Sequence, residues 1–213
     1  NLDVLEKCDY IFLTVKPQYY APVIEEIKDH VKDNHVFISI GAGVTLDYLS
    51  KAFGSKDVKV VRVMPNTPAQ VGEGMSAACP NEFVSEEETK TTLSILNAFG
   101  RAEVVPENLF DVVTGISGSG PAYVFLFIEA LADAAVVGGM PRKQAYEFAA
   151  QTVYGAAKMV METGKHPGEL KDMVCSPAGT TIAAVRTLEA NNFRSAVIEG
   201  ANAATEKSVA MRG

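Results

Sequence analysis

Cysteine and histidine are scarce in this chain of 213 residues, and neither is clustered. Cys8, Cys79 and Cys175 are odd in number and lack metal-ligand spacing; His30, His35 and His166 are scattered. Such usage fits a reducing, cytoplasmic compartment and leaves no ligand set for a metal site. Basic clusters with interleaved aromatics are missing too, and the net charge is −7, so no nucleic-acid surface is expected. The longest apolar stretch, Tyr123 to Met140, is broken by Glu129, Asp133 and a glycine pair. It reads as a buried core helix and not as a membrane span. Asn1-Leu2-Asp3 shows no initiator Met, signal peptide or transit peptide, and a strand is expected by Tyr10, as though the fold were already under way. One further motif is absent. No G-x-G-x-x-G lies between a strand and a helix, and that fingerprint forms the pyrophosphate seat of a dinucleotide fold. Ser117-Gly118-Ser119-Gly120 is glycine-rich but opens a long apolar helix, and so reads as a tight loop for close backbone approach.

What is present suits a packed globular core, with 47% apolar residues. The first half alternates strand and helix. Apolar runs at Tyr10 to Val15, Val36 to Ile40 and Val58 to Met64 read as buried strands, with Gly74 to Cys79 and Arg101 to Val105 as two more. Helices are expected at Pro22 to Val31, Thr45 to Phe53, and from the Ser85/Glu88 capping-box pattern to Phe99. This pattern predicts a parallel or mixed sheet covered on both faces. After Pro106 strands vanish. Helices are expected over Leu109 to Gly115, Gly120 to Val137, Arg142 to Thr163, Gly168 to Val174, Thr180 to Ala190 and Phe193 to Met211. The expected division is therefore 1–106 and 107–213, the second part having apolar faces to spare for a partner subunit.

The most pointed chemistry lies in Ser176-Pro177-Ala178-Gly179-Thr180-Thr181, at the start of a helix. A helix N-terminus carries unpaired N–H donors and partial positive charge, and here hydroxyls join them with no carboxylate nearby. The segment reads as a seat for a small anion, most simply a ligand carboxylate. The competing reading is a plain helix cap. Glu107, Ser176, Thr180 and Thr181 are the polar candidates for a substrate pocket. Three loops follow strand carboxyl ends, where open α/β sheets bind ligands: Val15-Lys16-Pro17, Gly41-Ala42-Gly43 and Met64-Pro65-Asn66-Thr67-Pro68. Small residues at 41–43 let a flat cofactor approach the backbone, although any one of these loops also serves as an ordinary turn. His166-Pro167 reads as a helix-start turn, Cys175 as packing, and Arg194 as a salt-bridge residue.

Together these segments resemble the pyrroline-5-carboxylate reductase family. The resemblance rests on Val15-Lys16-Pro17-Gln18, Gly41-Ala42-Gly43-Val44-Thr45, Met64-Pro65-Asn66-Thr67-Pro68, Ser117-Gly118-Ser119-Gly120-Pro121-Ala122-Tyr123, His166-Pro167-Gly168 and Ser176-Pro177-Ala178-Gly179-Thr180-Thr181. It implies a Rossmann-type α/β domain followed by an all-helical dimerisation domain, and reduction of 1-pyrroline-5-carboxylate to L-proline with NADPH or NADH. It implies a homodimer, with larger assemblies in some members. By the resemblance, Val15, Lys16, Pro17, Gly41 and Ala42 touch the dinucleotide, with Asn66 and Pro68 near the nicotinamide. Glu107, Ser176, Gly179, Thr180 and Thr181 line the imino-acid site, with Thr181 on the ring nitrogen as the catalytic residue. Two departures stand out. The family's N-terminal strand, glycine-rich loop and first helix find no counterpart in the sequence, so the α/β domain is expected to be incomplete. Ala178 stands where the family usually has glycine, which strains the turn by roughly 1 kcal/mol if φ is positive there. Two alternatives remain at this point. One is a β-hydroxyacid type of dehydrogenase, for which Lys158 and Lys171 lack an Asn partner at helical spacing. The other is a catalytically silent dimerisation module.

Overall fold

The computed structural model describes residues 1–54 and 57–211. Its sheet has five strands in the order β1 (Tyr10–Leu13), β2 (Val36–Ser39), β3 (Lys59–Met64), β4 (Gly74–Pro80) and β5 (Gly100–Val104). The first three run parallel and in step, Tyr10 opposite Val36 and Val36 opposite Lys59. β4 turns antiparallel to β3, and β5 runs parallel to β4. The sheet is therefore mixed, one of the two forms expected. Alternation along the strands divides the core. Ile11, Leu13, Phe37 and Val60 point to helices α1 (Leu2–Lys7), α2 (Tyr20–Ile27) and α3 (Leu46–Ala52), meeting Leu5, Tyr20, Ile24, Ile27, Leu49 and Phe53. Val36, Ile38, Val61, Val63 and Ala78 point the other way, onto Leu96 of α4 (Glu86–Asn97). Helix α1 was not expected. Its six residues bury Leu5 alone, too little for a helical period to register.

The chain divides into two compact units, Asn1–Pro121 with Ala201–Gly213, and Ala122–Gly200. This differs from the expected division at 106/107. The strands do end at Val104, but the next residues stay with the sheet. Phe110, on α5 (Phe110–Val113), is buried against Ala77 and Cys79, and the buried Asp111 accepts a hydrogen bond from Ser208 Oγ at 2.8 Å. Ser117-Gly118 is also not the tight loop expected. Thr114–Gly118 forms a π-helical turn leading into α6 (Gly120–Val137).

The second unit holds most of α6, together with α7 (Arg142–Thr163), α8 (Pro167–Val174), α9 (Thr180–Ala190) and the start of α10 (Phe193–Ala210). Its buried core is small: Ala132, Ala145 and Ala149, flanked by Ile128, Leu131, Val136 and Met140. The stretch expected as a buried core helix is thus largely bare. Ala132 is the buried residue of α6, while Phe125 is 61% exposed, Leu126 65% and Val137 90%. The reason is that α6 is apolar on all sides but the one carrying Glu129 and Asp133, and the helices of one chain cover only a stripe of it. By length and composition alone, the run Glu107–Val137 is long and apolar enough to cross a membrane.

The expected capping box is present at α4. Glu88 N donates to Ser85 Oγ at 3.2 Å and Ser85 N donates to Glu88 Oε2 at 2.9 Å. Burial pushes the Glu88 carboxyl up, but hydrogen bonds from Lys59 and Ser85 outweigh it and hold the group below its ordinary value. A depressed carboxyl contributes stability above its unfolded pKa and loses it as pH falls through the folded value. Ser85→Ala should therefore cost about 1 kcal/mol, roughly 2–4 °C in Tm, at neutral pH. In thermal melts, that difference should shrink as acid protonates Glu88.

Candidate functional site

Parallel, in-step strands bring their carboxyl ends to one edge. That edge places the three expected loops side by side: Val15, Lys16 and Pro17 after β1, Gly41 and Ala42 after β2, Asn66 and Pro68 after β3. Val15, Lys16, Pro17 and Ala42 are exposed, while Gly41, Asn66 and Pro68 are half-buried. Each loop ends in a short helical turn because proline or a hydroxyl starts it. Pro17 opens one at 17–19, Pro68 lies in one at 67–71, and Thr45 Oγ1 caps α3 by accepting from Tyr48 N.

Tyr20 ties two of these loops together. Its hydroxyl donates to Leu13 O at 2.8 Å and accepts from Ser39 Oγ at 3.1 Å. Burial pushes this phenol up, so it stays protonated and keeps donating. The same ring explains Gly41. A Cβ there would sit 2.7 Å from the Tyr20 hydroxyl oxygen and 2.8 Å from a Val44 methyl. Glycine is thus required by the tyrosine beneath the loop, independently of any cofactor above it.

Asn66 uses both ends of its amide. Nδ2 donates to Ser117 O at 3.1 Å, and Oδ1 accepts from Met75 N at 2.8 Å. It fixes the loop after β3 to the start of β4 and to the π-helical turn.

Glu107 keeps different company from that expected. Its Oε1 accepts from Leu46 N and from Arg62 Nη1, both at 2.8 Å. Arg62 is buried and also lies over the Phe110 ring at 4.5 Å. Sequence reading missed Arg62, although an arginine inside the apolar run Val58 to Met64 is a signal, since buried charges need partners. It missed Tyr20 as well, and nothing in the periodicity distinguishes that residue from ordinary core. Cys79 lies close by. Burial pushes its thiol up and the Glu107 carboxylate adds to this, so the thiol stays protonated and is a poor nucleophile.

In the second unit, the turn 176–181 has the form the sequence suggests. Gly179 N donates to Ser176 O at 3.0 Å, and Gly179 is the N-cap of α9, without a side-chain cap. The hydroxyls of Ser176, Thr180 and Thr181 make no hydrogen bond among the described residues, so the plain-cap reading does not account for them. Ser176 and Thr180 are exposed, and Thr181 is half-buried. Ala178 has φ +57°, the left-handed region, so the methyl group does strain the turn. A Cβ at 179 would meet Ser176 Oγ at 2.2 Å and Ser176 O at 3.1 Å, so a larger residue there would turn the serine hydroxyl away from its present place. His166 caps α8, its Nδ1 accepting from Gly168 N at 3.0 Å, and Arg194 pairs with Glu189, both as expected.

A strand-and-loop edge of this kind joined to a helical bundle is the plan of a nicotinamide-dependent oxidoreductase. Residues 107–211 match the model for pyrroline-5-carboxylate reductase dimerisation, and residues 1–43 match that for NADP oxidoreductase, coenzyme F420-dependent. The pyrroline-5-carboxylate reductase of Escherichia coli is 56% identical over 206 residues, spanning 97% of this chain and 76% of that protein. The solved pyrroline-5-carboxylate reductase of Coxiella burnetii has a TM-score of 0.93 at 36% identity, covering 99% of this chain and 78% of that one. The Plasmodium falciparum pyrroline carboxylate reductase, solved with NADP bound, has a TM-score of 0.88 at 38% identity, covering 100% and 80%. The chain belongs to the pyrroline-5-carboxylate reductase family.

Gly41→Ala should press against the pinned Tyr20 ring and destabilise the protein by about 1–3 kcal/mol. Urea unfolding would show it as a lower midpoint with an unchanged slope.

Proposed function

We propose that the protein reduces 1-pyrroline-5-carboxylate to L-proline with NADPH or NADH, the last step of proline biosynthesis. The observation that carries the reading is the turn 176–181, which offers first-turn N–H donors and uncommitted hydroxyls at one point. The substrate is a zwitterion, a carboxylate beside a protonated imine. In this reading the backbone of Gly179 to Thr181 and the Ser176 and Thr180 hydroxyls bind the carboxylate. The Thr181 hydroxyl accepts from the ring nitrogen and fixes which ring face is offered. None of these groups attacks the substrate; they orient it, which is where such a reaction gains most.

Val15, Lys16, Pro17, Gly41 and Ala42 would hold the dinucleotide, with Asn66 and Pro68 beside the nicotinamide. The residues suit that group: three loops share one edge, and the loop at 41–43 carries no side chain larger than a methyl. When bound, the reduced nicotinamide supplies the hydride. Lys16, exposed at this edge, suits a phosphate as a point charge.

The reading includes a homodimer, with a larger ring of dimers as an extension of it. The bare apolar sides of α6 support a second copy as their cover, in line with the dimerisation model matched over 107–211. Three free cysteines suit a cytoplasmic setting.

NADPH oxidation on adding pyrroline-5-carboxylate tests the function. Thr181→Ala should lower kcat/KM by about ten- to a hundredfold, as expected for loss of one hydrogen bond to a charged group. Unchanged turnover in that variant removes Thr181 from the mechanism; tight NADPH binding by calorimetry argues against a silent module, and the absence of both binding and turnover favours one. Sedimentation equilibrium in detergent-free buffer should give twice the chain mass of 22.7 kDa or a multiple of that; a stable monomer would refute the dimer.

A further inference from the structure

We infer that Glu107 and Arg62 form a positioning pair that holds the cofactor loop 41–45, and that Glu107 is not a substrate contact. The inference rests on the proposed reductase activity for its kinetic arm alone. The loop is short and strongly turned: Val44 N donates to Gly41 O at 3.2 Å, and Gly43 has φ +77°. One end is set by Gly41 lying on the Tyr20 ring. The other end is the first helical residue of α3, Leu46, whose N–H donates to Glu107 Oε1. That carboxylate is itself fixed by Arg62, a residue of β3 that is 5% exposed. Phe110 holds the guanidinium from its ring face.

The loop is therefore clamped between a phenol from one side and a carboxylate from the other. The clamp crosses long stretches of sequence, since Glu107 lies 61 residues from Leu46 and 45 from Arg62. Oε1 already receives two donors, one of them charged, so turning this oxygen toward a ligand would leave Arg62 buried without its partner. Removing the carboxylate frees the start of α3 and lets the 41–45 backbone drift. A drift of that kind acts on the proposed dinucleotide loop, and no residue of the clamp belongs to the turn 176–181.

The test is Glu107→Ala beside the isosteric Glu107→Gln, which keeps an acceptor for Leu46 N and lowers the risk of misfolding. Two measurements are made on each. The KM for NADPH should rise about ten- to a hundredfold in Glu107→Ala, less in Glu107→Gln, with the KM for pyrroline-5-carboxylate within about twofold of the parent. Amide hydrogen exchange at Leu46 should quicken at least about tenfold in Glu107→Ala, while Ile38 in β2 stays as protected as in the parent. A rise confined to the KM for pyrroline-5-carboxylate would make Glu107 a substrate residue and overturn the inference. Unchanged exchange at Leu46 would overturn it equally. If the parent protein shows no turnover, the reductase reading fails, and the exchange measurement still decides the clamp.

Discussion

The structure depends on three parallel strands kept in step. With Tyr10, Val36 and Lys59 in one row, the strands finish at one edge, and the loops that follow are neighbours without any further device. The step is secured by burial on both faces: β2 is buried along its whole length, and its alternate residues supply two different cores. A slip of one residue would exchange those cores and turn the strand's packing inside out. Tyr20 then locks the result, because one hydroxyl serves the end of β1 and a side chain of β2 together.

Much of this was legible in the sequence. Apolar runs stopped by Lys16-Pro17, Gly41-Ala42-Gly43 and Pro65-Asn66 marked the strand ends to within two residues, β1 closing at Leu13 and not at Val15, and the Ser85/Glu88 pair marked the start of α4. The turn before α9 was readable because N-terminal donors, hydroxyls and Gly179 crowd into six residues. Long-range partners were not readable. Glu107 reads as a pocket candidate in the sequence, and a lone carboxylate after a strand carries no sign of the arginine it meets. The reversal of β4 was likewise hidden, since strand direction depends on pairing and not on apolar pattern. The π-helical turn was read as a loop because glycines at 115, 118 and 120 suggest a break in the helix.

Ala178 is a separate lesson. Its positive φ was a condition posed by the sequence and met by the structure. The turn keeps its form because Gly179 closes on Ser176 through a backbone hydrogen bond, and Pro177 fixes φ beside it. Local geometry here offsets the preference of one residue, a penalty of about 1 kcal/mol.

The bare flank of α6 has a consequence for how the protein comes into being. A helix that is apolar over most of its circumference, yet buries Ala132 alone within its own chain, is left without most of its solvent shielding until another surface arrives. If that surface is an identical copy, maturation includes a second-order encounter, and the chain's resistance to unfolding becomes a function of how much of it is present. Dilution then acts on it as a denaturant does.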